Sequence, residues 1–318
     1  MKFRFLAITI SIALVGAVFI ARSGPSVAPD FEKMLSFDGK PEIIVDIPAG
    51  SSGSAIARLL FDNGIIKSSE SYFRVAVGDK RSETVAPGNH RLTLQISARQ
   101  ALEQLLDADR IPNLIRIYEG GWKSEVITAL IKYGFTKAEI DQAFKTVVLP
   151  NEFKDAEGLL FPAQYSFAKG TTAIQAIQAM VDRFTAEPIT KQLLAGSKEF
   201  SALQLLTIAS IVQAEGDEKD FSKVSQVIRN RLKIGMPLQM DSTVHYIQKL
   251  RGNIFLSTKS TLIKSEYNTY RKYGLPPGPI GNPGAAAMLA AVNPEPGDWT
   301  YFITVAPGET RFTSALNQ

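Results

Sequence analysis

Cysteine is absent from the 318 residues, and histidine occurs only twice, at His90 and His245. The first absence excludes disulfides, thiolate nucleophiles and cysteine-ligated zinc or iron–sulfur centres, and it suits work in an oxidising compartment. The second excludes a His-rich metal site, so no metal and no cofactor are expected. No G-x-S-x-G elbow is present to pair a serine with His245 in a Ser-His-Asp arrangement. Charge of one sign is also in short supply: 35 Lys and Arg face 31 Asp and Glu, a formal +4. With no dense basic tract and no RNA-binding signature, nucleic acid is not an expected partner. What remains is 45% hydrophobic and 21% charged, with 23 Gly and 17 Pro, enough chain for two ordinary domains with a sizeable core.

Long apolar runs are lacking too, with one exception. Phe5 to Ala21 carry no charge, after Lys2 and Arg4 and before Arg22. As a helix this run reaches roughly 26 Å against a hydrocarbon core of about 30 Å, and flanking Lys and Arg can snorkel. It reads as an uncleaved single-pass anchor with a cytoplasmic N-terminus. The alternative is a cleaved signal peptide, with Ser26-Val27-Ala28 as a weak cleavage site. Either reading exports everything after Arg22, which places the bulk of the protein outside the cell membrane.

Residues 23–40, with Gly24, Pro25, Pro29 and Gly39, read as a linker. A strand, EIIVDIPAG, ends at Gly50; helices follow from Ser54 to Asp62 and from about Ser68 to Val77; Gly88 opens another strand. A shift of 70 residues repeats the arrangement. Gly50, Ser54, Leu60, Gly64, Lys67 and Gly88 match Gly120, Ser124, Leu130, Gly134, Lys137 and Gly158. Recurrent glycines at turns and helix ends predict positive φ there. Strand–helix–helix–strand is the outline of a LysM glycan-binding module, and equally of a small spacer that binds nothing.

In SALQLLTIASIVQAEG, Leu205, Ile208, Val212 and Glu215 advance by three or four residues and share a helix face. Glu215 then closes an apolar stripe at the last turn, with Gly216 as the cap. Lost hydration, the nearby Asp217, Glu218 and Asp220, and the carboxyl end of the helix all favour its protonated form. A carboxylic acid that keeps its proton is what a general acid requires. A helix that simply ends there, with Glu215 turned to water, is the competing reading. Gln213 lies roughly 200° away around the helix and belongs to another surface.

A second amphipathic helix carries Val224, Val227, Ile228 and Leu232, with Asn230 and Arg231 beside the stripe and an ion pair expected for Arg231. In LQMDSTVHYI the residues Gln239, Asp241 and Thr243 stand at period two, which predicts a strand presenting all three on one face. Tyr267-Asn268-Thr269-Tyr270 follows, then GLPPGPIGNPG, a stiff loop able to wall a groove. A short helix, AAAMLAAV, and an aromatic strand, WTYFITV, complete the chain.

The ordered blocks EGLLFP-Q-Y, ASIVQAEG, VIRNRLKIGMPLQMDSTVHY, YNTY, GLPPGPIGNPG and AAVNPEPGDWTYF resemble the YceG/MltG family of membrane-anchored endolytic murein transglycosylases. The resemblance covers nearly everything after Glu42. The family often has Glu at both positions held here by Gln213 and Glu215, so the carried-over acid/base can only be Glu215. Ala163-Gln164 departs from the family's acid and Thr, which leaves the 157–165 loop without a carried-over role. The resemblance implies cleavage of the MurNAc-β-1,4-GlcNAc bond inside peptidoglycan glycan strands, leaving 1,6-anhydroMurNAc ends and limiting nascent strand length. Gln239, Asp241, Thr243, Tyr267, Asn268 and Asn282 are expected to contact sugar, with Asn230 and Arg231 supporting the Glu215 helix. Cell-wall synthases (penicillin-binding proteins) are the expected partners. A hydrolase with Asp241 as second carboxylate and a glycan-binding scaffold are the other function classes.

The expected fold is therefore α+β. It comprises an anchor over 1–22, the linker over 23–40, a LysM-like module over 41–110, a second module or connector over 111–197 and a catalytic domain over 198–318.

Overall fold

The computed structural model describes residues 28–48, 50–112, 114–167, 169–251, 256–306 and 308–315. The expected membrane segment, 5–21, lies outside them. Among the described residues no helix is long and apolar enough to cross a membrane. The chain is α+β and forms two compact units, divided after Pro112.

In the first unit β1 (Glu42–Ile47) pairs antiparallel with β2 (Gly88–Thr93), in register from Glu42 opposite Thr93 to Ile47 opposite Gly88. Between them lie α1 (Gly53–Asp62) and α2 (Ser69–Gly78), and α3 (Ala98–Leu106) follows. Ser52, Ser68 and Ser97 cap these helices, each side chain accepting a first-turn N–H. Val45, Ile47, Leu60, Tyr72, Leu92 and Leu102 fill a core confined to this unit. Residues 29–38, expected as linker, are fastened to it. The Ser68 hydroxyl donates to the Pro29 carbonyl, the Ala98 amide to Asp30, and Gln100 holds both backbone groups of Met34.

The second unit opens with the same order in reduced form. β3 (Ile115–Arg116) and β4 (Gln164–Tyr165) pair antiparallel around α4 (Lys123–Tyr133) and α5 (Lys137–Thr146). Helices α6 (Ala173–Ala186), α7 (Pro188–Ala195), α8 (Ala202–Glu215), α9 (Phe221–Lys233), α10 (Asp241–Gln248), α11 (Thr258–Thr261) and α12 (Ala285–Val292) follow, then the hairpin β5 (Tyr301–Ala306) and β6 (Glu309–Thr313). One apolar core runs from Ile115 to Ala291. At its centre α8 is buried on nearly every side, packed by α12, α9, α7 and α10. Alanines at 287, 290 and 291 of α12 bury into this core.

The segment expected to be a strand at 239–243 instead leads into α10, which begins at Asp241. Gln239 adopts φ +48, which breaks an extended run. The Thr269 hydroxyl then accepts the Met240 N–H at 2.9 Å, and Thr243 turns its own hydroxyl back onto the Met240 carbonyl. Gln239, Asp241 and Thr243 therefore share no face.

Candidate active site

Glu215 ends α8, and its carboxylate meets the start of α10: the Ser242 N–H donates to Glu215 Oε1 at 3.0 Å. The helix ends as expected at Gly216, but that residue is extended (φ −133°, ψ 166°) rather than left-handed. Its lack of a side chain serves close packing, since a Cβ there would lie 3.2 Å from Val224 Cγ2. Gln213 makes a parallel contact on the other side of the helix, accepting the Gly284 N–H at the start of α12 at 2.9 Å. The last turn of α8 thus anchors the amino ends of two helices, one through a neutral amide and one through an ionisable carboxyl.

Burial is the main force on Glu215 and raises its pKa above the usual carboxylate range. Hydrogen bonding from Ser242 and the charge of Arg231 pull it back, while Asp241 pushes it further up. The like charge at work is Asp241 across the gap, whereas Asp217 and Glu218 on the following turn are exposed to water. The amino end of α10 favours the anion that forms when the proton leaves. The group can therefore hold a proton and also tolerate losing it.

Asp241, half-buried, accepts a short hydrogen bond from the Tyr270 hydroxyl. Gln239 is exposed, with its N–H bonded to the Thr269 carbonyl. Tyr267 is half-buried and lines a cleft of about 610 Å³ with Tyr246, Glu157 and the Pro277-Gly278-Pro279 wall.

Three expected sugar contacts are corrected. Thr243, Asn268 and Asn282 are buried with their polar atoms committed inside the protein. Asn268 Nδ2 donates to the carbonyls of Thr261 and Ile263 while its Oδ1 accepts the Tyr270 N–H. Asn282 Nδ2 donates to the Gly121 carbonyl, and its Oδ1 accepts the Leu160 N–H. These side chains shape the walls; they are not presented to a ligand.

The ion pair expected for Arg231 is likewise replaced. Its guanidinium donates to the Thr300 carbonyl at 2.7 Å and to the Leu238 carbonyl, and sits over the Tyr301 ring. Asn230 donates to the carbonyls of Gly297 and Trp299. Both tie α9 to the segment entering β5, and Arg231 reaches Glu215 through its charge alone.

Glu157 is the site residue that sequence reasoning passed over. It is buried; its Oε1 accepts the Lys123 N–H at 2.8 Å and its Oε2 the Tyr246 hydroxyl at 2.9 Å. Burial raises its pKa as well. The available signal was a lone acid opening an otherwise apolar run, Glu157-Gly158-Leu159-Leu160-Phe161. Among the described residues no cluster of His, Cys, Asp and Glu suits a metal ion.

Comparison with known proteins bears on this geometry. The profile of the YceG-like family matches residues 45–318. An endolytic murein transglycosylase of Bacillus subtilis (strain 168) is 32% identical, the alignment covering 96% of this chain and 89% of that protein. One from Streptococcus pneumoniae (strain R6) is 29% identical over 85% of this chain, which spans only 55% of the pneumococcal protein. A 2.6 Å crystal structure of a yceG-like protein from Listeria monocytogenes, 29% identical, superposes with a TM-score of 0.57, covering 87% of this chain and 97% of that one. On this sequence and structural similarity the chain belongs to the YceG-like family.

Proposed function

We propose that the protein is an endolytic murein transglycosylase in which Glu215 is the single acid/base, cutting the MurNAc-β-1,4-GlcNAc bond within peptidoglycan strands. The observation that carries the reading is the seat of Glu215: burial keeps its proton on, while the α10 amino end and Arg231 stabilise the carboxylate left behind. The protonated carboxyl gives its hydrogen to the glycosidic oxygen as the C1–O bond breaks. The resulting carboxylate then takes the proton of the muramyl 6-hydroxyl as that oxygen bonds to C1. The products are a free 4-hydroxyl and a 1,6-anhydromuramyl end; no water is consumed and Glu215 regains its proton. A hydrolase needs a second carboxylate. Asp241 is the neighbour able to serve, and one of its oxygens is already held by Tyr270.

The uncharged run from Phe5 to Ala21 supports a single-pass anchor in the cell membrane with both units on the outer side. The β1–α1–α2–β2 arrangement supports a LysM-like role in holding glycan, and strand-length control next to cell-wall synthases fits an anchored cutter.

Mass spectrometry of glycan strands digested by the full chain in detergent tests the reading, with Glu215→Gln in parallel. Internal fragments with 1,6-anhydro ends are expected from the wild type, and a loss of about 10²–10⁴-fold from the variant. Reducing ends, heavier by one water, would make the enzyme a hydrolase. Equal activity in the variant removes Glu215 from the mechanism, and silence from both proteins favours a binding scaffold.

A further inference from the structure

The cleft beside Glu157 lies within the second unit and is separate from the contacts that hold Glu215, yet two segments join them. Along α10, the Ser242 N–H that binds Glu215 and the Tyr246 hydroxyl that binds Glu157 are four residues apart, about 6 Å along the axis. Beside that helix, Tyr270 reaches Asp241 while Tyr267 packs its ring against Tyr246, with centroids 5.2 Å apart. One helix face and one loop therefore run from the candidate acid directly into the cleft.

The chemistry of the lining is specific. The ring of Tyr246 is covered by the Lys249 ammonium, 3.6 Å from its centroid, and its hydroxyl is used by Glu157. Tyr267 remains as the half-exposed ring. An ionised carboxylate offers about four acceptor positions, and the described protein groups fill one on each oxygen of Glu157, leaving acceptor capacity for a ligand O–H or N–H. The rim carries charges of both signs: Lys123 Nζ pairs with Asp155, and Glu152 and Lys154 also line the cleft. Prolines 277 and 279 add rigid apolar surface. An aromatic ring face, a buried acceptor and a stiff, nearly charge-balanced wall suit a neutral polyhydroxylated ring better than a charged peptide. The volume, about 610 Å³, lies in the range of sites for small ligands.

We propose that this cleft is a saccharide subsite next to the reacting bond, in which Tyr267 stacks on a pyranose face and Glu157 accepts a hydrogen bond from that sugar's hydroxyl or acetamido N–H. Tyr246 and Lys249 act as positioning residues for Glu157. The proposal rests on the glycan-cutting reading and adds a reason for internal cleavage: the strand must extend beyond the broken bond to fill the cleft.

The test has a binding arm and a kinetic arm. In the binding arm, chitotetraose is titrated against the full chain in detergent carrying Glu215→Gln, alone and combined with Tyr267→Ala, Tyr267→Phe or Glu157→Gln. Affinity should fall by about tenfold for Tyr267→Ala and Glu157→Gln, and stay within about twofold for Tyr267→Phe. In the kinetic arm, on strands stripped of peptide, Tyr267→Ala should lower kcat/KM about tenfold, mainly through KM. Glu157→Gln preserves shape and guards against a folding failure of the alanine variant; unchanged thermal unfolding confirms it. Unchanged affinity in both Tyr267→Ala and Glu157→Gln overturns the proposal, as does a loss seen only with peptide-bearing strands, which would make the cleft a peptide site. If the wild type cuts nothing, the enzymatic reading falls and the binding arm still decides the subsite.

Discussion

Two stretches of this chain share one outline and use it differently. Residues 42–93 and 115–165 both run strand, helix, helix, strand, and the matched glycines 50/120, 64/134 and 88/158 all adopt positive φ. In the first stretch the strands are six residues long and close over a core of their own. In the second the strands shrink to two residues each, and Leu130, Ile140 and Tyr165 join the core built by the C-terminal helices. The turns of the second stretch have also been given to the site. Gly120 and Gly121 exchange backbone hydrogen bonds with Asn282, and Lys123, at the start of α4, holds Glu157 through its N–H. A self-contained module can change without disturbing chemistry, whereas one that has surrendered its sheet cannot.

The matched leucines offer the largest test of this contrast. Leu60 and Leu130 are both fully buried, and either change to Ala should cost about 2–5 kcal/mol locally. Leu60→Ala should lower the melting of the first unit and leave cleavage of glycan strands per folded molecule unchanged. Leu130→Ala should lower both stability and cleavage. Equal effects on cleavage would remove the distinction.

A smaller effect is expected at the matched glycines. Gly64→Ala and Gly134→Ala meet no neighbour and should cost only the left-handed strain of about 1–2 kcal/mol. Gly158→Ala adds a clash, because its Cβ would lie 2.8 Å from Pro279. It should therefore exceed both and raise KM by shifting a cleft wall, as thermal melts and steady-state kinetics would show.

The smallest effect is one of sign in pH dependence. In the first unit, burial lowers the pKa of His90 below its ordinary 6.5, so the unfolded chain binds the proton better. Stability there is lost as pH falls from 6.5 toward the folded value. In the second unit Glu215 is raised above 4.5, so stability is full below that value and lost as pH rises through the folded one. Calorimetry at pH 4, 5.5 and 8 should show Glu215→Gln stabilising the second unit at pH 8 and not at pH 4. His90→Gln should flatten the acid-side loss of the first.

Legibility in the sequence followed the range of the deciding contact. The strands at 42 and 88, helices α8, α9 and α12, and the positive-φ glycines rest on local capping, periodicity and backbone conformation, and all were readable. The start of α10 was not, because Thr269 caps it from 29 residues away and a period of two at Gln239, Asp241 and Thr243 suggested a strand. Glu157 draws its partners from 34 and 89 residues away, so the lone acid before an apolar run did not by itself show what it holds. Asn268 and Asn282 carry the polar atoms a sugar site needs, but side-chain type alone does not show that those atoms are already bonded. The place of Glu215 at the last turn of α8 was legible because it follows from helix phase.

The clasp at Asn282 has a consequence for the order of assembly. Its side chain joins the Gly121 carbonyl, 161 residues earlier, to the Leu160 amide, 122 residues earlier. Contacts of such long sequence separation close late, after the entropy of the intervening loops has been spent. A chain emerging amino end first carries Glu215 well before it carries Asn282, and until then the turns at 121 and 160 lack the residue that joins them. The site then closes only after residue 282 has emerged, and a chain truncated before it would hold Glu215 without the joined turns.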